Sequence, residues 1–245
     1  MNFKILAAKA KKYAQVLESI IRPQKYYIYP KTSYSHHRIS FSQEGEDLVL
    51  MRMFEGQESG FYVDIGAHHP QRFSNTYLFY LKGWKGINID AMPGSMDSFK
   101  KIRPRDINLE ITVSDKEEIL TYYEFDEPAL NGCSVELSKE YENLSSHRII
   151  NEIKVKAKPL SDVLDSYLET GQSIDFISID VEGLDYQVLT SNDWKKWRPK
   201  VLVIEDLENR INSQKTQIQA FLEDQGYCLY SRLVNSAIFR NIEKN

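Results

Sequence analysis

Three acids close three apolar runs of this chain. Asp90 ends Gly86-Ile87-Asn88-Ile89, Asp180 ends Ile174-Asp175-Phe176-Ile177-Ser178-Ile179, and Glu205, with Asp206 beside it, ends Val201-Leu202-Val203-Ile204. A fourth run, Phe61-Tyr62-Val63-Asp64-Ile65, ends in Gly66-Ala67. Carboxylates at strand ends accept hydrogen bonds from the two hydroxyls of a ribose, take a proton from a reacting hydroxyl, or hold a hard cation. A glycine after a buried strand removes the Cβ that would keep a ligand off the backbone. A single strand-end acid can simply cap the next helix; three together make that reading harder to sustain.

These groups need a scaffold, and the spacing supplies one. Gly66 to Asp90 leaves room for one crossover helix and little else. Ser42 precedes a capped helix with acids in its first turn, and Ser74-Asn75-Thr76 caps a helix through Leu81 that Gly83 closes. A helix near 93–101 and a strand near 107–113 follow. Ser161 caps a helix through Leu168, Gly171 ends it, and a helix around Gln214–Gln225 ends at Gly226. Strands near 227–231 and 236–240 form a terminal hairpin. Alternating β and α units with apolar strands give an α/β fold with a Rossmann-like, doubly wound, mainly parallel sheet. The hairpin adds antiparallel strands at its C-terminal edge. Residues 114–158 are less regular, with strands at Thr121–Phe125 and Lys154–Ala157, and read as a binding loop or lid.

Two parts are expected: a basic amphipathic helix and linker over 1–38 and a catalytic-type domain over 39–245. Residues 1–38 carry eight Lys/Arg against one acid, leaving 23 basic and 34 acidic residues elsewhere, a balance of −11. That acidic body argues against nucleic acid as a partner. Phe3, Leu6, Ala10, Tyr13, Leu17 and Ile20 form one apolar stripe with lysines mainly on other faces. The stripe suits packing on its own domain or a second copy, a membrane-surface anchor, or a loose arm. Two cysteines, Cys133 and Cys228, give neither a disulfide framework nor metal spacing. With no apolar run long enough to span a bilayer, the expected location is cytoplasmic; the anchor reading of the arm would add peripheral contact at the inner membrane surface.

The glycine turn lacks the full G-x-G-x-x-G spacing: Gly66 is followed by Ala67, His68, His69 and Pro70. A pyrophosphate needs several backbone N–H groups there, and Pro70 removes one donor outright. The turn therefore suits a ribose-bearing ligand without a phosphate, such as S-adenosylmethionine, more than a nicotinamide dinucleotide. A module that binds an adenosine ligand without chemistry remains the alternative.

At this point the residues match a known group. The chain resembles the FkbM-type methyltransferases, a class I S-adenosylmethionine-dependent family. The match runs through Ser42-Gln43-Glu44-Gly45-Glu46-Asp47-Leu48, Tyr62–Ala67, Gly83–Asp90, Ile174–Gly183 and Val201–Glu205, and covers about residues 40–240. Asp180-Val181-Glu182-Gly183 is its most specific part. Ser178 stands where the family often has lysine, and Asp185 where it often has another acid.

The resemblance implies O-methylation of sugars, glycans or other hydroxylated small molecules. Asp64, Gly66, Ala67, His68, Asn75, Asp90, Ala91, Ser114, Asp115 and Asp180 are then expected around the donor. Asp64 and Gly66 shape the turn, Asp90 holds the ribose, and Ser114 and Asp115 lie by the adenine. Asp180 and Glu182 are the first candidates for the base, with His68 and His69 second. Asp180, Glu205 and Asp206 could instead hold Mg²⁺, as in catechol-type O-methyltransferases. Tyr122, Tyr123, Phe125 and Tyr141 stack on a sugar ring or pack in the core, while Trp84, Trp194 and Trp197 pack.

Overall fold

A computed structural model describes residues 38–144, 146–207 and 215–242. The expected arm, up to residue 37, and the start of the helix expected from Gln214 lie outside the described residues. Five apolar strands form the parallel centre: β1 (Phe61–Ile65), β2 (Lys85–Asp90), β3 (Ile107–Glu110), β7 (Phe176–Ile179) and β8 (Val201–Glu205). The hairpin β9 (Tyr227–Arg232) and β10 (Ser236–Asn241) completes a seven-stranded sheet in the order β3-β2-β1-β7-β8-β10-β9. β10 runs antiparallel to both β8 and β9. Strand order reverses between β1 and β7, which places a ligand crevice at the carboxyl ends of those two strands.

Both faces of the sheet are covered, so its central strands are buried almost throughout. Val63, Ile65, Ile87, Ile89, Ile177, Ile179, Leu202 and Ile204 face one core. It is closed by α5 (Leu160–Tyr167), α6 (Asp185–Thr190) and α7 (Gln217–Asp224) through Leu160, Val163, Leu164, Val188, Leu189 and Leu222. Tyr62, Phe176, Val201, Val203 and Ile238 face the other core, under Leu50 of α1 (Glu46–Met53), Phe79 and Tyr80 of α2 (Tyr77–Leu81), and Trp84. α3 (Met96–Ile102) packs Met96 and Phe99 against Ala67.

The second face also carries a row of polar residues. Asn108 pairs with Asn88, Asn88 with Asp64, and Asp64 with Ser178 across four adjacent strands. The row stays buried because Arg103, fully inside the protein, supplies donors in all directions. Its Nε bonds Asp106 at 2.9 Å, and one terminal nitrogen reaches both Tyr62 Oη and Thr76 Oγ1 at 2.9 Å. Thr76 in turn donates to Asp64 at 2.6 Å, and Asn88 donates to Asp106 at 3.0 Å. A buried charge is tolerable only when paired and bonded in this way.

Several expected boundaries shift. The strand expected over 107–113 is broken: β3 stops at Glu110, and β4 (Thr112–Val113) leaves to pair with Ala157 and Lys158. The segment 114–158 is more regular than expected. β5 (Glu118–Phe125) and β6 (Ile149–Lys158) form a long antiparallel pair, joined through a 3₁₀ turn (Pro128–Leu130) and α4 (Val135–Leu144). Ser161 does not cap α5: Pro159 holds the cap position, and the Leu160 N–H goes to Ser191 Oγ at 2.9 Å. Ser42 is not a helix cap either. Gly45, at φ 89°, occupies that place, and Ser42 instead exchanges hydrogen bonds with Asp47. Thr76 holds the cap position of α2, and Ser74 Oγ, two residues before it, accepts from the Tyr77 N–H at 3.1 Å. Trp84 and Trp197 are buried and Trp194 packs on the core, as expected. No helix of the described residues is long and apolar enough to cross a membrane.

Candidate active site

A cavity of about 340 Å³ opens at the carboxyl ends of β1, β2 and β7, inside the roughly 300–1,000 Å³ range of small-molecule sites. Gly66, His68, Asp90, Ala91, Asp180 and Glu182 all line it, six of the residues expected to do so. Gly66 sits at φ 78°, and a Cβ there would lie 1.7 Å from the Asp180 carbonyl oxygen. Only glycine lets the turn after β1 press this closely on the turn after β7.

The backbone donors of the first turn are spent on the protein. Gly66 N–H and Ala67 N–H both bond the Ile89 carbonyl, at 2.9 and 3.0 Å. The His68 N–H goes to Asp90 at 2.8 Å, and those of Gln71 and Arg72 go to His69 Nδ1 at 3.1 and 2.9 Å. With Pro70 between them, this turn is poorly equipped for a pyrophosphate. The Asp90 carboxylate takes the His68 and Met92 N–H groups, one on each oxygen. Each oxygen can accept a further hydrogen bond, and Asp90 lines the cavity. Burial raises the Asp90 carboxyl above its usual range, against these two backbone bonds and Ser95. Ile89, Ile111 and Val113 supply an apolar wall beside it.

Across β1, Asp180, Glu182 and Glu205 bring carboxylate oxygens within 4.8 Å of one another. Burial first, then Glu182 and Asp185, push the Asp180 carboxyl far above its usual range. Asp185, raised to about 6 by burial, bonds the Val181 and Gly183 N–H groups at 3.0 and 3.1 Å and so fixes the loop that presents Glu182. Tyr141 of α4 donates to Glu182 at 2.8 Å. Burial, then Arg72 and His69, lowers the His68 imidazole, so it stands neutral near pH 7, with Nε2 buried and no protein partner.

Other expected residues lie off the cavity. Ala67 turns toward α3. Asp64 is buried beneath the turn with Thr76, and Asn75 bridges to Ser178 Oγ at 3.0 Å. Ser114 and Asp115 are displaced because β4 leaves the main sheet: the Ser114 N–H bonds the Lys158 carbonyl, and Thr112 and Val113 line the cavity in their stead. Asp206 does not join Asp180 and Glu205; its carboxylate accepts from Thr216 at 2.8 Å and faces Arg232 at 3.5 Å, and Glu182 completes the acid cluster instead. Among the four aromatics, Phe125 is core, and Tyr122 is buried on the cavity wall near Asp90. Tyr141 binds Glu182, and Tyr123 pairs with Gly132 across the lid.

The segment between β5 and α4 contributes residues that strand-end reasoning missed: Asn131, Gly132 and Cys133 line the cavity. Gly132 lies where a Cβ would meet Glu182 Cβ at 2.9 Å. Burial, then Asp90, pushes the Cys133 thiol up to about 12, so it holds its proton near neutral pH. Gln43, Arg72 and Phe73 also line the cavity. Gln43 belongs to the segment noted before α1, where Glu44 and Glu46 bond Asn235 and Ser236 of the terminal hairpin. Among the described residues, the non-glycine positions with positive φ are His68 (51°), Phe73 (57°) and Glu182 (53°), and all three line this cavity. Such backbone costs about 1–3 kcal/mol each and gathers at functional sites.

Several known proteins resemble this chain. Methyltransferase sdnD of Sordaria araneosa is 35% identical over 83 residues, a match spanning 31% of this chain and 31% of that protein. Similar solved structures include a precorrin-6y C5,15-methyltransferase from Geobacter metallireducens, 13% identical with a TM-score of 0.41 over 79% of this chain and 84% of that one. A putative O-methyltransferase from Klebsiella pneumoniae is 10% identical with a TM-score of 0.42, over 84% and 83%. The family model of the methyltransferase FkbM domain matches residues 64–229, and the chain belongs to that family.

Proposed function

We propose that the protein is an S-adenosylmethionine-dependent O-methyltransferase acting on a hydroxyl of a sugar, glycan or glycosylated precursor. The observation that carries this reading is the placement of Asp90 at the end of β2 and of Asp180 and Glu182 in the turn after β7, on the two sides of β1 and its Gly66. When bound, the donor supplies an electrophilic methyl group on sulfur. The chain's own work is to hold, orient and deprotonate. Asp90 takes the ribose hydroxyls, and Ile89, Ile111 and Val113 shelter the adenine. Methyl transfer is an in-line displacement, so most of the acceleration comes from fixing the acceptor oxygen against the donor.

The acceptor must also lose a proton. Asp180 and Glu182 lie close enough together, half-buried, that two negative charges repel, so one member keeps a proton and the ionised member takes the acceptor's. Tyr141 orients Glu182 for that role. A divalent cation held by Asp180, Glu182 and Glu205 would lower the hydroxyl's pKa instead, and the closeness of those oxygens supports keeping this route under test.

The test uses donor labelled in its methyl group and a glycan fraction as acceptor. Label in a base-stable ether is expected; label only in a base-labile ester or in an amine would contradict O-methylation of a hydroxyl. Glu182→Gln should slow transfer about 100-fold with donor affinity kept. Unchanged turnover in excess chelator would remove the cation route, and its loss there would remove the unaided carboxylate.

A further inference from the structure

The segment that leads into α1 is tied down from several sides. The Asp47 carboxylate accepts from Ser40 Oγ at 2.6 Å, the Phe41 N–H at 2.7 Å and Ser42 Oγ at 2.9 Å. Glu46 accepts from the Glu44 N–H at 2.8 Å and from Ser236 Oγ at 2.9 Å, and Glu44 accepts from the Asn235 N–H at 3.0 Å. The Phe41 carbonyl takes the Ser74 N–H at 3.0 Å. The segment is thus a strap pinned to the loop after β1 and to the β9–β10 turn, where Ser236 pairs with Glu205 of β8. β7 lies between β1 and β8, so the strap passes the end of β7, where Asp180 and Glu182 line the cavity. Gln43 sits between the two pins and lines the same cavity, and its side-chain amide bonds none of the described residues.

The proposed methyl donor ends in an amino-acid tail with an ammonium and a carboxylate. Acids at this end of the cavity offer acceptors to the ammonium but repel the carboxylate, which needs N–H donors. The turn after β1 does not supply them. The backbone N–H groups of Gly66, Ala67, His68, Gln71 and Arg72 are all bonded within the protein. Of the side-chain donors on the wall, Arg72 is paired with Glu127 at 3.0 Å, and the Asn131 amide reaches Met92 Sδ at 3.6 Å. Gln43 brings two N–H donors and no charge. A lysine or arginine in its place would pair with Asp180 or Glu182, whereas an amide leaves those carboxylates to the reaction. His68 Nε2, buried at the cavity, is a second polar atom there that the protein leaves unbonded.

We propose that Gln43 holds the donor's tail, its amide N–H groups donating to the tail carboxylate. This inference rests on the reading that the cavity takes S-adenosylmethionine. It makes a strap from outside the parallel sheet, rather than the backbone of the glycine turn, the part that tells the whole donor from its adenosine half.

Calorimetric titration of the full chain with two ligands tests it. S-Adenosylhomocysteine carries the tail; 5′-methylthioadenosine keeps the adenosine and the thioether and has a methyl group in the tail's place. Gln43→Ala should weaken S-adenosylhomocysteine binding about tenfold and leave that of 5′-methylthioadenosine within about twofold of the parent. Gln43→Glu, of nearly the same shape, should weaken S-adenosylhomocysteine further, because it sets one carboxylate against another, and again spare 5′-methylthioadenosine. Unchanged S-adenosylhomocysteine affinity in both variants, or an equal loss for the two ligands, would overturn the assignment. So would a parent chain that binds 5′-methylthioadenosine as tightly as S-adenosylhomocysteine, since the tail would then contribute nothing. If the parent bound neither ligand, the donor reading would fall first and this inference with it.

Discussion

Gly66 and Asp180 are in backbone contact: a Cβ on Gly66 would stand 1.7 Å from the Asp180 carbonyl oxygen. The turn after β1 and the loop that carries the acids are therefore packed backbone to backbone. Gly66→Ala forces that contact apart at a residue with φ 78°. The variant should lose more than about 2 kcal/mol of stability and most of its donor binding. A melting temperature within about a degree of the parent would contradict the contact.

Asp180 ties stability to pH with a definite sign. Its carboxyl is held far above its ordinary value by burial and by Glu182, and Asp185 is held at about 6. The folded state therefore binds more protons than the unfolded chain above about pH 4. The contribution is complete below that pH and is lost as pH rises through the folded pKa values. Asp180→Asn should match the parent near pH 4–5 and exceed it at pH 8 by about 1 kcal/mol, or ~3 °C, while losing transferase activity. Melting curves across pH decide it, and a difference constant with pH would contradict the buried acid.

Arg103 is the brace beneath the site. It is fully buried and links Asp106, Tyr62 and Thr76 under the loop that carries His68 and Phe73. Arg103→Met should cost about 3–5 kcal/mol by stranding Asp106. Arg103→Lys should recover little, because one ammonium cannot serve those partners together. A denaturant midpoint unchanged in Arg103→Met would show the network to be dispensable.

Asp90 should carry ribose recognition. Asp90→Ala is expected to weaken S-adenosylhomocysteine binding about 10- to 100-fold, with some loss of stability because the His68 and Met92 N–H groups lose their acceptor. An unchanged dissociation constant would remove Asp90 from the donor site.

The strands, their order of appearance and the terminal hairpin were legible in the sequence because buried parallel strands read as unbroken apolar runs ended by glycine or acid. Gly66, Asp90, Asp180 and Glu182 were legible for the same reason: they sit where the runs stop. Ser114 and Asp115 were misplaced because nothing local marks where Ile111 hands the chain from one sheet to another. Arg103 and Asp106 lie in Lys100–Asp106, which reads as surface charge, and only the fold reveals the polar row they neutralise. Asn75, Asp64 and Asp206 were assigned to ligands by proximity in sequence, yet each bonds a neighbour within the protein, Asn75 through its amide nitrogen alone. Phe73 gave no periodic signal at all, since its significance lies in a backbone angle.

The most direct measurement is a calorimetric titration of the full chain with S-adenosylmethionine, S-adenosylhomocysteine and NAD in parallel. The spent turn donors and the position of Asp90 lead us to expect binding of the first two in the micromolar range and none of the third. Binding of NAD alone would contradict the donor assignment and everything built on it.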